Sequence, residues 1–393
     1  MARVVLKPRK AKPFFGRHPW VLSTAVARVD GALLDGDAAD LVTHEGNFVA
    51  RGLYNSRSRI RMRLFTWDRG EELDDLFWRT RLERAAALRR VLGYDSAAGA
   101  ARIVFSEGDG LSGLIVDRYG PYVVVQPTSL GMGLRLPMLV PALVQLLAPK
   151  GVLVRCDEAM ARAEGIELAE GPFWGSPPEG PVEIEEYGLR FAVDLVSGHK
   201  TGFYLDQREN RRRAAQFLAG RRVLDMFCYT GGFSVHAAAA GAREVLGVDS
   251  SRKAVELAEA NAARNGLRQA RFACGSCFET MEAMRDQGET FEAVVLDPPK
   301  FARGGRTLDE ALRAYHYLNR LGVELLAPDG ILVTCSCSGH VSRHDFQQML
   351  LGVAQQTRRE IQILEQHGAA PDHPTSATCA ESEYLKCFIC RVC

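Results

Sequence analysis

Apolar and polar residues alternate over roughly the first 70 positions, and a longer rhythm then replaces that alternation. The stretches VVLKP, WVLS, ADLVTHEGNFVARGLY and SRIRMRLFTW alternate or nearly so, broken by Gly-Arg, Asp-Gly and Glu-Gly-Asn. Period two with turn punctuation predicts short strands in a small, β-barrel-like module. Between residues 73 and 92 the period becomes helical. Leu73, Leu76, Phe77, Leu82, Leu88 and Leu92 recur at near-helical spacing, and Gly93 ends the run. RIVFS, LIVDRYGPYVVVQP, LRLPMLVPALVQLLA, GVLVRC and VEIEEYGLRFAVDLV follow. They predict strand, hairpin, helix, strand and strand pair, an α+β unit. The Gly- and Pro-rich stretch 170–181 reads as a loop over a domain junction. From about 190, VLDMF, EVLGVD, QARFACG, EAVVLDPP, GILVTCSCS and YLKCFICRV contain the strands, and helical stretches separate most of them. That alternation predicts an α/β, doubly wound, mainly parallel sheet, which binds ligands at the carboxyl ends of its strands. The expected domains are 1–72, 73–189 and 190–393.

Composition narrows the class. With 393 residues, 47% hydrophobic and 25% charged, the chain is ordinary for soluble globular protein. It has no apolar run of about 18 residues, so no transmembrane helix and no membrane partner are expected. The basic N-terminus lacks an apolar core, which excludes a secretory signal. A transit peptide fits less well, because Val4 and Leu6 already read as a strand start. Ten cysteines in a chain of this size are expected to be reduced thiols in the cytoplasm. Net charge is only +1, but the basic residues cluster. Residues 1–20 carry six basic side chains, Lys7 and Arg17 among them, and no acid. Arg57, Arg59, Arg61 and Arg63 recur at period two and would share one strand face, with Ile60, Met62 and Leu64 buried on the other. Such a stripe is either a solvated face or a phosphate-contacting surface.

Chemistry gathers at the strand ends. The strand ending at Asp225 runs into Met226-Phe-Cys-Tyr-Thr-Gly-Gly-Phe233, a Gly-containing turn that opens a helix. The segment is neither a dinucleotide fingerprint nor a P-loop. The next strand ends in Asp249, where a carboxylate can accept from two ribose hydroxyls. Asp297-Pro-Pro-Lys300 ends the fourth. Two prolines stiffen that turn and remove two donors, so a flat base can lie against it while Asp297 holds its edge. In this order the three features resemble the Rossmann-like class of S-adenosylmethionine-dependent methyltransferases. Lys300 and then Phe301 stand where amino-methylating enzymes place a stacking aromatic, which counts against exocyclic-amine methylation. Thr334-Cys-Ser-Cys-Ser338 ends the next strand. A thiolate there can add to carbon 6 of a pyrimidine and make carbon 5 nucleophilic toward a methyl cation. The plain alternative is a pair of buried thiols in a sheet.

The chain resembles the bacterial 23S ribosomal RNA cytosine-5 methyltransferase (RlmI) family along essentially its whole length. The matching stretches are Arg17-His-Pro-Trp-Val21, Glu107-Gly-Asp-Gly-Leu-Ser-Gly113, Gly198-His-Lys-Thr-Gly-Phe-Tyr-Leu-Asp-Gln-Arg208, Phe227-Cys-Tyr-Thr-Gly-Gly-Phe233, Asp297-Pro-Pro-Lys-Phe301, Ser336-Cys-Ser338 and Glu383-Tyr-Leu-Lys386. The resemblance implies an N-terminal PUA RNA-binding domain, a central α+β domain and a C-terminal methyltransferase domain. It implies S-adenosylmethionine as donor and cytosine in 23S ribosomal RNA, naked or in a large-subunit precursor, as substrate; a homodimer stays open. It places the nucleophile at Cys337, with Asp297 and Lys300 beside it. Cys335, two residues earlier, stays a rival. The implied cofactor residues are Phe203, Tyr204, Gln207, Asp225, Phe227, Cys228, Thr230, Gly231, Asp249 and Asp297. Ser276 stands where many methyltransferases place an acid for the adenine amine. Lys7, Arg17, Arg57, Arg59, Arg61 and Arg63 are the candidate RNA contacts. Cys274 and Cys277 read as small core residues. Cys387, Cys390 and Cys393 have C-x-x-C steps that suggest zinc, but on a strand that spacing points successive thiols to opposite faces, so no metal is expected. The competing readings are a guanine-directed methyltransferase without a covalent adduct and a non-catalytic RNA-binding assembly factor.

Overall fold

A computed structural model describes residues 1–196, 201–301 and 307–393. The motif positions Gly198, His199 and Lys200 lie outside the described residues. The chain forms two compact units. Met1–Ile184, Val193–Leu205 and Pro371–Ser382 make the first; Glu185–Ala192, Asp206–Ala370 and Glu383–Cys393 make the second. No described helix is long and apolar enough to cross a membrane.

In the first unit, β1 (Arg3–Leu6), β2 (Trp20–Leu22), β3 (Val26–Asp30), β4 (Ala38–Val42), β5 (Phe48–Tyr54) and β6 (Ile60–Thr66) form a six-stranded sheet in the order β2-β6-β5-β4-β1-β3. Its core holds Val4, Leu6, Leu41, Met62 and Leu64. The arginine stripe is not realised. Arg57 and Arg59 precede β6 and are exposed, because Ser58 turns inward to donate to Glu164 at 2.5 Å. Arg61 is half-buried and reaches the Asn55 carbonyl. Arg63 is 8% exposed, paired with Glu107 at 3.1 Å and bonded to Ser112. Residues Met62 to Thr66 are all buried, so both faces of this strand are covered and the one-face-out pattern fails. Ile60 is only half-buried, for the same reason that Arg59 is exposed: the strand begins there.

A second sheet in the same unit contains β7 (Ala100–Phe105), β8 (Leu114–Tyr119), β9 (Tyr122–Pro127), β10 (Gly151–Val154) and β11 (Gly171–Gly175), in the order β11-β10-β9-β8-β7. β11 lies where a loop was expected, as an edge strand that tolerates its Gly and Pro. The predicted helix spans Asp75–Val91 and buries Phe77, Trp78, Leu82, Ala85 and Ala86, while Leu76 faces outward. The excursion Pro371–Ser382 docks here. Arg89, fully buried, grips Asp109 through two nitrogens and donates to the Asp372 carbonyl at 2.6 Å; the Asp372 carboxylate accepts from the Arg102 N–H. A Cβ at Gly108 would meet the Pro374 carbonyl oxygen at 2.1 Å, so only glycine admits this segment.

The hairpin β12 (Val182–Glu186) and β13 (Leu189–Val193) carries the chain toward the second unit. There β14 (Arg222–Met226), β15 (Glu244–Asp249), β16 (Ala270–Cys274), β17 (Phe291–Leu296), β18 (Leu326–Ser336), β19 (Ile361–His367) and β20 (Lys386–Val392) form a seven-stranded sheet. Its order is β16-β15-β14-β17-β18-β20-β19, with β20 antiparallel to both neighbours and the rest parallel. The order reverses between β14 and β17, which marks the switch point where such sheets bind ligands. The sheet's two faces pack into separate cores, and Cys387 and Cys390 divide between them, as their spacing requires. Cys277 is buried, but Cys274 is exposed, against the expectation that both pack inside.

Candidate active site

Asp225 sits in β14 with 1% exposure. Its Oδ2 accepts from the Ser234 hydroxyl at 2.6 Å, whereas Oδ1 is buried and has no partner among the described residues. Burial pushes this carboxyl up to about 7; the charges of Asp297 and Asp249 add to the rise and the Ser234 bond opposes it. The turn that follows alternates left-handed residues: Phe227 at φ 64°, Tyr229 at 49° and Gly231 at 80°. A bulky residue at positive φ is costly and is held only by surrounding contacts. Those contacts are present: Cys228 N–H donates to the Val248 carbonyl and Tyr229 N–H to Asp249 Oδ2 at 3.0 Å. Asn261 in the helix Arg252–Arg264 donates to the Thr230 carbonyl at 3.0 Å and fixes the far side of the turn. A Cβ on Gly231 would meet Ala258 and Phe272 at 3.1–3.2 Å. Below the turn, Glu186 lies between Arg211, Arg208 and His236. Burial works against its charge, but these partners hold its carboxyl well below the usual range.

Asp249 ends β15 half-buried, its other oxygen accepting from Ser251 N–H at 2.9 Å. Each of its oxygens keeps a second lone pair. Ser276 is exposed at the N-terminus of the helix Cys277–Asp286 and makes no capping bond with its side chain. Cys228 is buried, and burial pushes its thiol well up, which leaves it a packing residue at this turn. Thr230 Oγ1 is a second buried atom with no partner among the described residues. The acceptors Asp225 Oδ1, Thr230 Oγ1 and the Asp249 carboxylate suit a ligand that brings an ammonium and a ribose diol, the polar groups of S-adenosylmethionine. Phe203 and Tyr204 belong to the first unit, where Phe203 is buried and its N–H donates to the Tyr119 hydroxyl at 3.2 Å.

Asp297 follows β17. Gln207, 2% exposed, donates to its Oδ1 at 2.9 Å, and Asn210 donates to Gln207 Oε1, so the side-chain amide is oriented by its neighbour. Gln207 therefore braces Asp297. Pro298 is buried; Pro299 and Lys300 are exposed. Phe301 packs edge-on against Tyr315 with centroids 4.8 Å apart. Cys335 lies in β18, fully buried opposite Cys387, and burial together with that neighbour pushes its thiol well up. Cys337 lies just beyond the strand end, half-exposed, with Sγ 3.8 Å from the Pro298 carbonyl oxygen. Of the sequence-derived residues, Gln207, Asp225, Phe227, Cys228, Thr230, Gly231, Asp249, Asp297 and Cys337 thus belong to the strand-end loops and their supports in one unit. Ser234, Asn210 and Asn261 had no motif of their own; they became visible only through the groups they hold, the Asp225 carboxylate, the Gln207 amide and the Thr230 main-chain carbonyl.

Among the described residues one set of metal-ligand type gathers, His18, Cys379 and Glu381 in the first unit. Trp20 N–H donates to His18 Nδ1, so the neutral ring carries its proton on Nε2, toward Glu381. That tautomer offers no free lone pair to a cation.

Residues 169–387 match the family described as S-adenosylmethionine-dependent methyltransferase, and residues 4–67 match the PUA-like domain. The protein named ribosomal RNA large subunit methyltransferase I from Klebsiella pneumoniae (strain 342) is 40% identical over 392 residues, 99% of this chain and 98% of its own. Its namesake from Escherichia coli O1:K1 / APEC is also 40% identical, over 99% of both chains. Among solved structures, a methyltransferase-fold protein crystallised with SAH superposes at a TM-score of 0.86 with 21% identity. Another from Streptococcus mutans does so at 0.85 with 20% identity, each across the full length of both chains. These two support the fold.

Proposed function

Since the chain belongs to the S-adenosylmethionine-dependent methyltransferases, with ribosomal RNA large subunit methyltransferase I proteins as full-length relatives, we propose that it forms 5-methylcytosine in 23S ribosomal RNA with Cys337 as nucleophile. The observation that carries this reading is the contrast between the two strand-end thiols. Cys337 is half-exposed beside the Asp-Pro-Pro turn, while Cys335 is locked in the sheet. S-adenosylmethionine, when bound, supplies the electrophilic methyl group. Asp249 would hold its ribose hydroxyls, Asp225 and Thr230 its amino-acid end, and Ser276 its adenine edge. Pro298 and Pro299 present a stiff, donor-free surface for the cytosine, and Asp297, braced by Gln207, holds the base edge. The Cys337 thiolate forms a bond to carbon 6 and leaves carbon 5 electron-rich. After methylation, loss of the carbon 5 proton and departure of the sulfur restore the ring.

Residues 1–72 are assigned as the RNA-binding PUA-like domain, 73–189 as the central domain and 190–393 as the methyltransferase domain. The RNA role of the first rests on exposed cations. Lys7, Arg9, Lys10, Lys12 and Arg17 are exposed, and none forms an ion pair among the described residues. Incubation with 5-fluorocytosine-containing 23S RNA fragments tests the chemistry, because fluorine at carbon 5 blocks the final elimination. A cofactor-dependent covalent complex that disappears in Cys337→Ala is expected. Methylation of guanine, with no adduct, would overturn the reading.

A further inference from the structure

Lys386 opens β20, yet its side chain is only 2% exposed. Nζ donates to the Ser338 carbonyl at 2.5 Å and to the Tyr384 carbonyl at 2.9 Å. Both acceptors are uncharged, and among the described residues no carboxylate pairs with this ammonium. A buried cation normally has a counter-ion, because desolvation penalises it strongly. Strand pairing sets Lys386 opposite Ser336, and its ammonium holds Ser338. It therefore brackets the residue between them, Cys337.

We propose that Lys386 is a positioning residue for the Cys337 thiolate, placing a positive charge beside the sulfur and receiving from it a counter-ion that no carboxylate among the described residues provides by direct pairing. This rests on the reading of Cys337 as nucleophile. The step is a simple ionisation: the Sγ–H bond breaks, the electron pair stays on sulfur, and the proton leaves to solvent through the half-exposed side. Lys386 keeps its three protons. Burial lowers its pKa to about 8, while a charge on Cys337 and that of Glu383 work the other way, so the amine is a cation at neutral pH. Arg343 and Lys300 also face Lys386 and disfavour its charge, and Asp345 feels it from the helix Arg343–Thr357. On the sulfur side stands Tyr315, which senses both Cys337 and Asp297.

The test is the pH dependence of iodoacetamide alkylation at Cys337 in the full-length protein, followed by peptide mass spectrometry without RNA. The wild-type half-point should lie below about 8.5, the ordinary thiol value. Lys386→Met should move it up by about one unit, roughly a tenfold slower reaction at pH 7, and Lys386→Arg should restore most of the loss. Equal half-points in wild type and Lys386→Met would reduce Lys386 to a cap for two carbonyls and overturn the proposal. Should Lys386→Met fail to fold, the wild-type half-point still decides: a value at or above about 8.5 sinks the idea. A depressed half-point without any 5-fluorocytosine adduct would instead reject the cytosine reading and leave the charge pairing standing.

Discussion

Cys335 and Cys337 are two residues apart in sequence and opposite in surroundings. Cys337→Ala should abolish methyl transfer and leave S-adenosylmethionine affinity near wild type. Cys335→Ala should keep most activity and cost about 1 kcal/mol of stability, the common size for a small core change. Activity assays, calorimetry and thermal unfolding on both variants check this, and the reverse pattern would exchange their roles. Asp225 carries a second prediction. Its folded pKa, about 7, lies above its ordinary value of 3.8. Its contribution to folding is therefore fully present below pH 3.8 and lost as pH rises through 7. Asp225→Asn should stabilise the ligand-free protein at pH 8 but hardly at pH 4, by on the order of 2–4 kcal/mol. It should also weaken cofactor binding, because the amino-acid end loses a charged acceptor. Thermal unfolding against pH, with calorimetry, reads both. Strand-end acids such as Asp225 and Asp249 were legible in sequence because the strand pattern itself places them. Arg63 was not: nothing local announces Glu107, its partner across the unit.

Elements were legible where periodicity was clean. Six of the seven strands in the C-terminal sheet stood out as apolar runs, and the helix after residue 73 by its spacing. β19, Ile361–His367, escaped because Gln362, Glu365, Gln366 and His367 interrupt it and none of its residues is fully buried. β11 escaped because its Gly and Pro are turn residues everywhere except on a sheet edge. In the helix Asp75–Val91, leucines suggested one face, but Trp78, Ala85 and Ala86 do the packing and Leu76 lies outside. Under the proposed function, the Phe227–Gly231 turn lies against the cofactor. Gly231→Ala would combine a left-handed backbone with close contacts to Ala258 and Phe272. It should cost about 1–3 kcal/mol of stability and weaken S-adenosylmethionine binding. Unchanged affinity in calorimetry would detach the turn from the cofactor.

At the scale of the whole molecule, a net charge of +1 hides an uneven surface. Arg57 and Arg59 are exposed, whereas Arg63 is spent on Glu107. Arg57→Gln with Arg59→Gln should weaken RNA binding for all sequences alike. The log–log salt slope should flatten by about 0.7–0.9 per lost contact. Arg63→Gln should instead lower stability, since it leaves a buried carboxylate unpaired. Filter binding across a salt series separates the two outcomes, and an unchanged slope in the double variant would make Arg57 and Arg59 a solvated edge. The excursion Pro371–Ser382 bears on something else, the order in which the protein is made. Arg89 and the Arg102 N–H find acceptors on Asp372, which is synthesised 283 and 270 residues after them. The unit begun first is therefore not finished until Asp206–Ala370 of the other unit has been made. A chain released before Asp372 leaves this scaffold incomplete, and a cut after the central sheet strips Arg89 and the Arg102 N–H of these acceptors. Completion of the first unit thus waits on the synthesis of β14 to β19, six of the seven strands of the methyltransferase sheet.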